Sequence, residues 1–159
     1  MNAKQKECIL KLLKAAYNKK DFSKKYLLAY NDYFDIKDNF TDFACERAAE
    51  KQKYLNFIER LLIADKNTKI FTEVYGFEED GDDIWIYADT LIIISTLKLQ
   101  EIKHIFNKSD DYFPSDIKKL NDFEEYSDFK NYFWLDEKGK LTCISDFIAN
   151  ISVYCCWWD

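Results

Sequence analysis

The sequence predicts an α+β fold, with N-terminal helices packed on an antiparallel or mixed β-sheet in a single compact domain spanning residues 1–159. Three observations predict it. Apolar residues recur at helical spacing through the first third of the chain, and Ile, Val, Thr, Tyr and Trp concentrate after Asn67. The composition, 48% apolar with three glycines and one proline, is that of one packed core, and 159 residues suit one domain. Residues 1–66 are therefore expected to be mainly helical, and residues 67–159 to mix strand and helix in an acidic setting.

The first expected helix runs from Asn2 to Lys19, where Ile9, Leu12, Leu13, Ala16 and Tyr17 form one stripe opposite the lysines. Asp21 is a candidate cap for a second, through about Phe34, since Tyr26, Leu27, Tyr30, Tyr33 and Phe34 repeat the period. A polar break at Asp35 to Asn39 precedes a long third helix reaching Asp65. Its second half carries Tyr54, Leu55, Ile58, Leu61 and Leu62. Lys69 to Phe77 and Asp83 to Thr96 then flank a tight-turn signal, Asp80-Gly81, and predict a β-hairpin. The continuous apolar run Thr90 to Ser95 predicts a central strand covered on both faces. Leu97 to about Asn107 reads as a helix, and Ser109 to Ser115 as a loop around Pro114. Asp116 to Leu120 and Asp122 to Lys130 read as two short helices. Tyr132 to Leu135 with Lys140 to Ile144 predicts a second hairpin across Asp136 to Gly139. Ser145 to Trp158 fits either a closing amphipathic helix or a strand.

Chemistry-bearing motifs are scarce. The single histidine, His104, falls in an expected helix without a nucleophile motif around it, so a surface or boundary position is expected. Cys8, Cys45, Cys143, Cys155 and Cys156 have no paired metal-ligand spacing, and neighbours such as Cys155 and Cys156 do not close an unstrained disulfide, so buried free thiols are expected. Aligning Gly81 with the invariant glycine of a calcium loop puts Gly76 and Tyr87 where carboxylates are required. The three glycines form no phosphate-cradling loop. No enzyme activity, cofactor or metal is expected, and the region after Met1 has neither a leader's apolar segment nor a membrane span, which points to the cytoplasm. A hydrolase built on two carboxylates stays open, given 29 Asp/Glu, and requires two carboxyls in one deep cleft.

Charge is segregated: residues 1–66 hold 14 Lys/Arg against 10 Asp/Glu, and residues 67–159 hold 9 against 19. Three acidic clusters lie beside aromatics. They are Glu78, Glu79, Asp80, Asp82 and Asp83 with Trp85; Asp110 and Asp111 with Tyr112; and Asp122, Glu124, Glu125 and Asp128. Carboxylates around a ring are suited to capturing Lys and Arg side chains, the charges steering encounter and the desolvated ring supplying affinity. These residues are the expected contacts for a partner protein with a basic surface, and an acidic face repels nucleic acid.

A small, acidic, aromatic-rich domain without catalytic residues resembles the immunity proteins of bacterial contact-dependent inhibition and polymorphic toxin systems. The resemblance lies in size, charge and composition, and carries no residue over. It implies a non-catalytic inhibitor that occludes the active or substrate-binding surface of a cognate toxin. Two further readings compete with it. A mimic of nucleic acid would space its carboxylates along a ridge like duplex phosphates. An assembly subunit would expose an apolar patch, for which Val153 to Trp158 is the candidate.

Overall fold

The computed structural model describes residues 1–34, 37, 39–44, 49–123 and 129–159 and, for Phe40 and Phe147, the backbone alone. It shows an α+β domain in which helices pack on a seven-stranded mixed sheet of order β6-β9-β5-β4-β1-β7-β8. In chain order the strands are β1 (Lys25–Ala29), β2 (Phe40–Thr41), β3 (Ala49–Glu50), β4 (Lys69–Asp80), β5 (Asp83–Ser95), β6 (Asp116–Lys119), β7 (Tyr132–Leu135), β8 (Leu141–Cys143) and β9 (Ser152–Trp157). The α-helices are α1 (Ala3–Lys19), α2 (Tyr30–Tyr33), α3 (Lys51–Ala64) and α4 (Leu99–Ile105). Neighbouring strands of the large sheet run antiparallel except β1 and β7, which are parallel; β2 and β3 form a separate two-stranded pair.

Helix α1 begins where a capping box satisfies its first amides: Gln5 N–H donates to Asn2 Oδ1 (2.8 Å), and Asn2 N–H donates to Gln5 Oε1 (3.1 Å). It ends at Lys20, whose left-handed backbone (φ 52°) closes the last turn. Ile9 and Leu13 of its stripe are buried, while Tyr17 stays exposed. The second half of the long expected helix forms as α3, burying Tyr54, Phe57, Ile58 and Leu61. Helix α4 also stands where the period placed it.

The central strand is covered on both faces. Leu91 and Ile93 pack into the larger core with α1, α3 and α4, and Ile92 and Ile94 into a second core with Leu120, Phe129, Ile144 and Ile148. All four are at most 2% exposed. Burying each aliphatic side chain of this size contributes about 1.5–3 kcal/mol, which makes β5 the spine of the domain.

Several expectations are corrected. The second helix is replaced by strand β1 and the single turn α2, because Tyr26, Leu27 and Leu28 are buried consecutively between both faces of the sheet and the apolar run serves a strand. The chain before α3 carries β2 and β3, so residues 1–66 are less helical than expected. Asp116 to Lys119 is an edge strand beside β9, and only Leu120–Asp122 turns, as a 3-10 helix. Most of the expected helix from Asp122 lies outside the described residues. The final segment takes the strand alternative as β9, its Trp158 buried and donating an indole N–H to the Tyr112 carbonyl (3.2 Å). The second hairpin forms as β7 and β8, with Gly139 at φ 80° and the Asp136 carboxylate accepting the Lys138 and Lys140 amides. Cys8, Cys143, Cys155 and Cys156 are free thiols; Cys156 is fully buried, the other three half-buried, and Cys45 lies outside the described residues. Among the described residues no helix is long and apolar enough to cross a membrane.

Candidate partner-binding site

The hairpin of β4 and β5 outruns the rest of the sheet. The β1 neighbour of β4 reaches only to Val74, and the β9 neighbour of β5 only to Thr90. Two bulges mark the departure: Asp89 is extra on β5 between the Glu73–Thr90 and Val74–Ala88 pairs, and Tyr75 is extra on β4 before Gly76–Tyr87. Each adds local twist. Beyond them a two-stranded ribbon, Gly76 to Tyr87, runs out to the turn at Gly81-Asp82. Gly81 holds φ 61°, a conformation that costs other residues about 1–2 kcal/mol.

The ribbon carries five carboxylates and no Lys or Arg. Phe77, Ile84 and Ile86 face α1 and the main core, and Glu79 on that face meets the Lys14 ammonium of α1 at 2.8 Å. Trp85 and Tyr87 lie on the other face, where the Tyr87 hydroxyl donates to Glu78 Oε2 (2.5 Å). Asp80, Asp82 and Asp83 crown the exposed tip. The first expected cluster is thus brought together, Trp85 included, on one projecting element.

The other two clusters are not joined to it. Asp111 is buried and committed internally: its Oδ2 pairs with the Arg60 guanidinium and accepts the Asn107 N–H (2.7 Å). The Tyr112 ring packs against Tyr54 (5.1 Å between centroids) with the Lys53 ammonium over it. Asp110 is exposed, but its carboxylate accepts from Asn107 and its carbonyl from Asn56. This cluster ties the loop after α4 to α3, with Asp111 buried and Tyr112 half-buried. Asp122, near Lys119 (3.5 Å), lies beyond the end of β6 where Lys119 pairs with Tyr154 and Tyr154 with Ile93. Ten strand residues separate Ile93 from Asp83 at the tip, about 34 Å at the rise of a strand. Glu124, Glu125 and Asp128 lie outside the described residues. The described members of the three clusters are not gathered on one contiguous acidic face.

One row of side chains crosses the face opposite the helices: Asp116, Trp157, Thr90, Glu73, Leu27 and Trp134 on six adjacent strands. It borders a shallow cavity of about 180 Å³ that also takes in Lys25, Lys118, Tyr132 and Cys155. Glu73 pairs with the Lys25 ammonium (3.0 Å), and burial raises its carboxyl above the usual range. Asp116 sits three strand spacings away, about 14 Å between backbones, with Thr90 and Trp157 between them. Asp89, whose carboxylate accepts the Trp157 indole N–H (3.3 Å), is the acidic neighbour that adds to the rise of the Glu73 carboxyl. Burial pushes the Cys155 thiol up to about 12, which leaves it protonated and a poor nucleophile. His104 is exposed on α4. No group of three potential metal ligands converges among the described residues.

Sequence reasoning missed the aromatic collar at the ribbon's base. Tyr17 and Phe22, about half exposed, meet edge to face (5.2 Å), and Tyr17 also meets Phe77 (5.7 Å). Tyr17 sat on an apolar stripe in the sequence and nothing in the period separates its exposed ring from its buried neighbours. Compared with known families, curated proteins and solved structures, the chain matches none.

Proposed function

We propose that this chain is a non-catalytic inhibitor that binds a basic partner protein through the β4–β5 ribbon, in the manner of a cytoplasmic immunity protein that occludes the active or substrate-binding surface of a cognate toxin. One observation carries the reading: five carboxylates and a half-buried tryptophan are concentrated on a ribbon that projects past its sheet neighbours, with aromatic rings at its base. Carboxylates there raise the encounter rate with a basic surface, and the rings supply desolvated contact area. A mimic of duplex nucleic acid is less well supported, since the charge is gathered at one end of a ribbon and not strung along a ridge. The carboxylate hydrolase is less well supported, since Glu73 in the open-face cavity is engaged by the Lys25 ammonium and Asp116 stands three strands away.

The reading is tested by capturing partners from the native cell with tagged wild-type chain and with Asp80→Lys, Asp82→Lys and Asp83→Lys combined, then assaying the captured protein. A basic partner whose activity falls at stoichiometric amounts of wild-type chain, and which the triple variant releases at moderate salt, is the expected result. Equal capture by both chains, or full partner activity under saturating wild-type chain, refutes it.

A further inference from the structure

The two edges of the ribbon are treated differently by the fold. A two-residue turn makes the closing pair Asp80–Asp83 exchange both backbone hydrogen bonds, and every second pair after it does the same. The backbone groups of Ile84 and Ile86 on β5, and of Phe77 and Glu79 on β4, therefore point outward. On β5 that edge is closed: the Tyr33 hydroxyl donates to the Ile86 carbonyl (2.9 Å), Ala44 N–H donates to the Ala88 carbonyl (2.7 Å), and Phe43 bridges to Ala88. On β4 the β1 ladder stops at Val74 and Gly76 is buried, the Tyr17 hydroxyl lying 3.6 Å from where its Cβ would stand, but no described strand lies beside Phe77 to Asp80. Tyr17, packed edge to face on Phe22 and on Phe77, marks the inner end of this edge.

We propose that the edge of β4 from Phe77 to Asp80 takes an extended segment of the partner as an added strand, basic where it passes the acidic tip. The proposal rests on the partner-binding reading above and adds the mode of docking. Strand addition supplies main-chain hydrogen bonds for affinity and leaves specificity to alternate side chains. The charge complementarity is local: Glu78, Glu79 and Asp80 flank the edge, and Asp82 and Asp83 close its end. A free edge of this kind otherwise invites pairing with copies of the same chain, which five like charges on each copy oppose.

The test uses full-length chain, a capped octapeptide of alternating lysine and valine, and two versions of that peptide N-methylated on alternate amides, one on each side of the strand. Binding is read by hydrogen exchange and amide shifts. The expected result is slowed exchange at Phe77 and Glu79, with binding abolished by N-methylation of one side and retained with the other. Glu79→Pro removes one outward N–H at an edge where proline is tolerated, and Glu79→Gln removes the same charge alone. The proline variant should bind about threefold to tenfold more weakly than the glutamine variant, the value of one hydrogen bond. Equal binding of both N-methylated peptides, or of both variants, overturns strand addition while leaving side-chain capture by the tip intact. Failure of all the peptides to protect Phe77 and Glu79, alongside partner capture that still needs Asp80, Asp82 and Asp83, overturns the edge and spares the tip. Loss of both overturns the partner reading as well.

Discussion

Replacing Arg60 by alanine separates a structural role for Asp111 from a contact role. The Asp111 side chain is wholly inaccessible, and its Oδ2 takes both the Arg60 guanidinium and the Asn107 N–H, while Oδ1 is buried without a hydrogen-bond partner among the described residues. Arg60 also donates its Nε–H to the Ile105 carbonyl (3.1 Å) and stays about a third exposed. Arg60→Ala leaves a carboxylate buried with one backbone donor. Removing one partner of a buried pair costs about 3–5 kcal/mol. The partial exposure of Arg60 lets water reach the vacated space and places the cost near about 3 kcal/mol. At about 2–4 °C per kcal/mol for a chain of this length, Tm should fall by about 6–12 °C. Replacing both partners by apolar residues, Arg60→Met with Asp111→Leu, should recover most of that loss, because no charge is then left buried. The assay is urea unfolding followed by circular dichroism, with slopes compared so that two-state behaviour is checked. A cost for Arg60→Ala below about 1 kcal/mol, the range of exposed pairs, would refute the reasoning and return Asp111 to the groups open to a partner.

Three further outcomes follow from single sites. Burial alone would raise the Asp65 carboxyl, but hydrogen bonds from the Thr96 and Asn67 amides and the Ser95 and Thr96 hydroxyls bring it down to about 2. A depressed value means the fold favours the charged form, so its contribution is intact above the ordinary aspartate range and is lost as pH falls toward 2; Asp65→Asn should flatten that acid limb in thermal melts. Native alkylation at pH 8 should leave Cys155 and Cys156 unmodified, since burial raises both thiols, and mass spectrometry of the labelled peptides checks it. Gly81→Ala should destabilise the chain by about 1 kcal/mol in urea through its left-handed backbone, although nothing lies within 4 Å of the added methyl group.

The misread elements share a cause. Lys25 to Ala29 places tyrosine, two leucines and alanine in succession, a pattern equally at home on a buried helix and in a strand covered on both faces. Its strand state is set by β4 on one side and β7 on the other, neither of which is near it in sequence. The edge strand Asp116–Lys119 has too few residues for a period to declare itself, and its pairing with β9 decides its state. The acidic clusters show the same division. Glu78 to Asp83 is a cluster gathered around one turn of chain, so proximity in sequence is proximity in space. Asp111 is adjacent to Asp110 in sequence, yet one faces Arg60 in the interior and the other faces solvent.

From the sequence alone came the fold class, helix α1, helix α3 as the second half of a longer expected helix, helix α4, both hairpins and the covered central strand, because each rests on a local period or a turn with its own stereochemistry. The tertiary structure alone decided which apolar runs became strands, which carboxylates were buried, and how far the tip stands from Asp122. It also decided that one edge of the ribbon is met by Tyr33 and Ala44 while no described strand lies beside Phe77 to Asp80 on the other. These are outcomes of pairing between segments distant along the chain, and the free energy of such pairing is not contained in any local window.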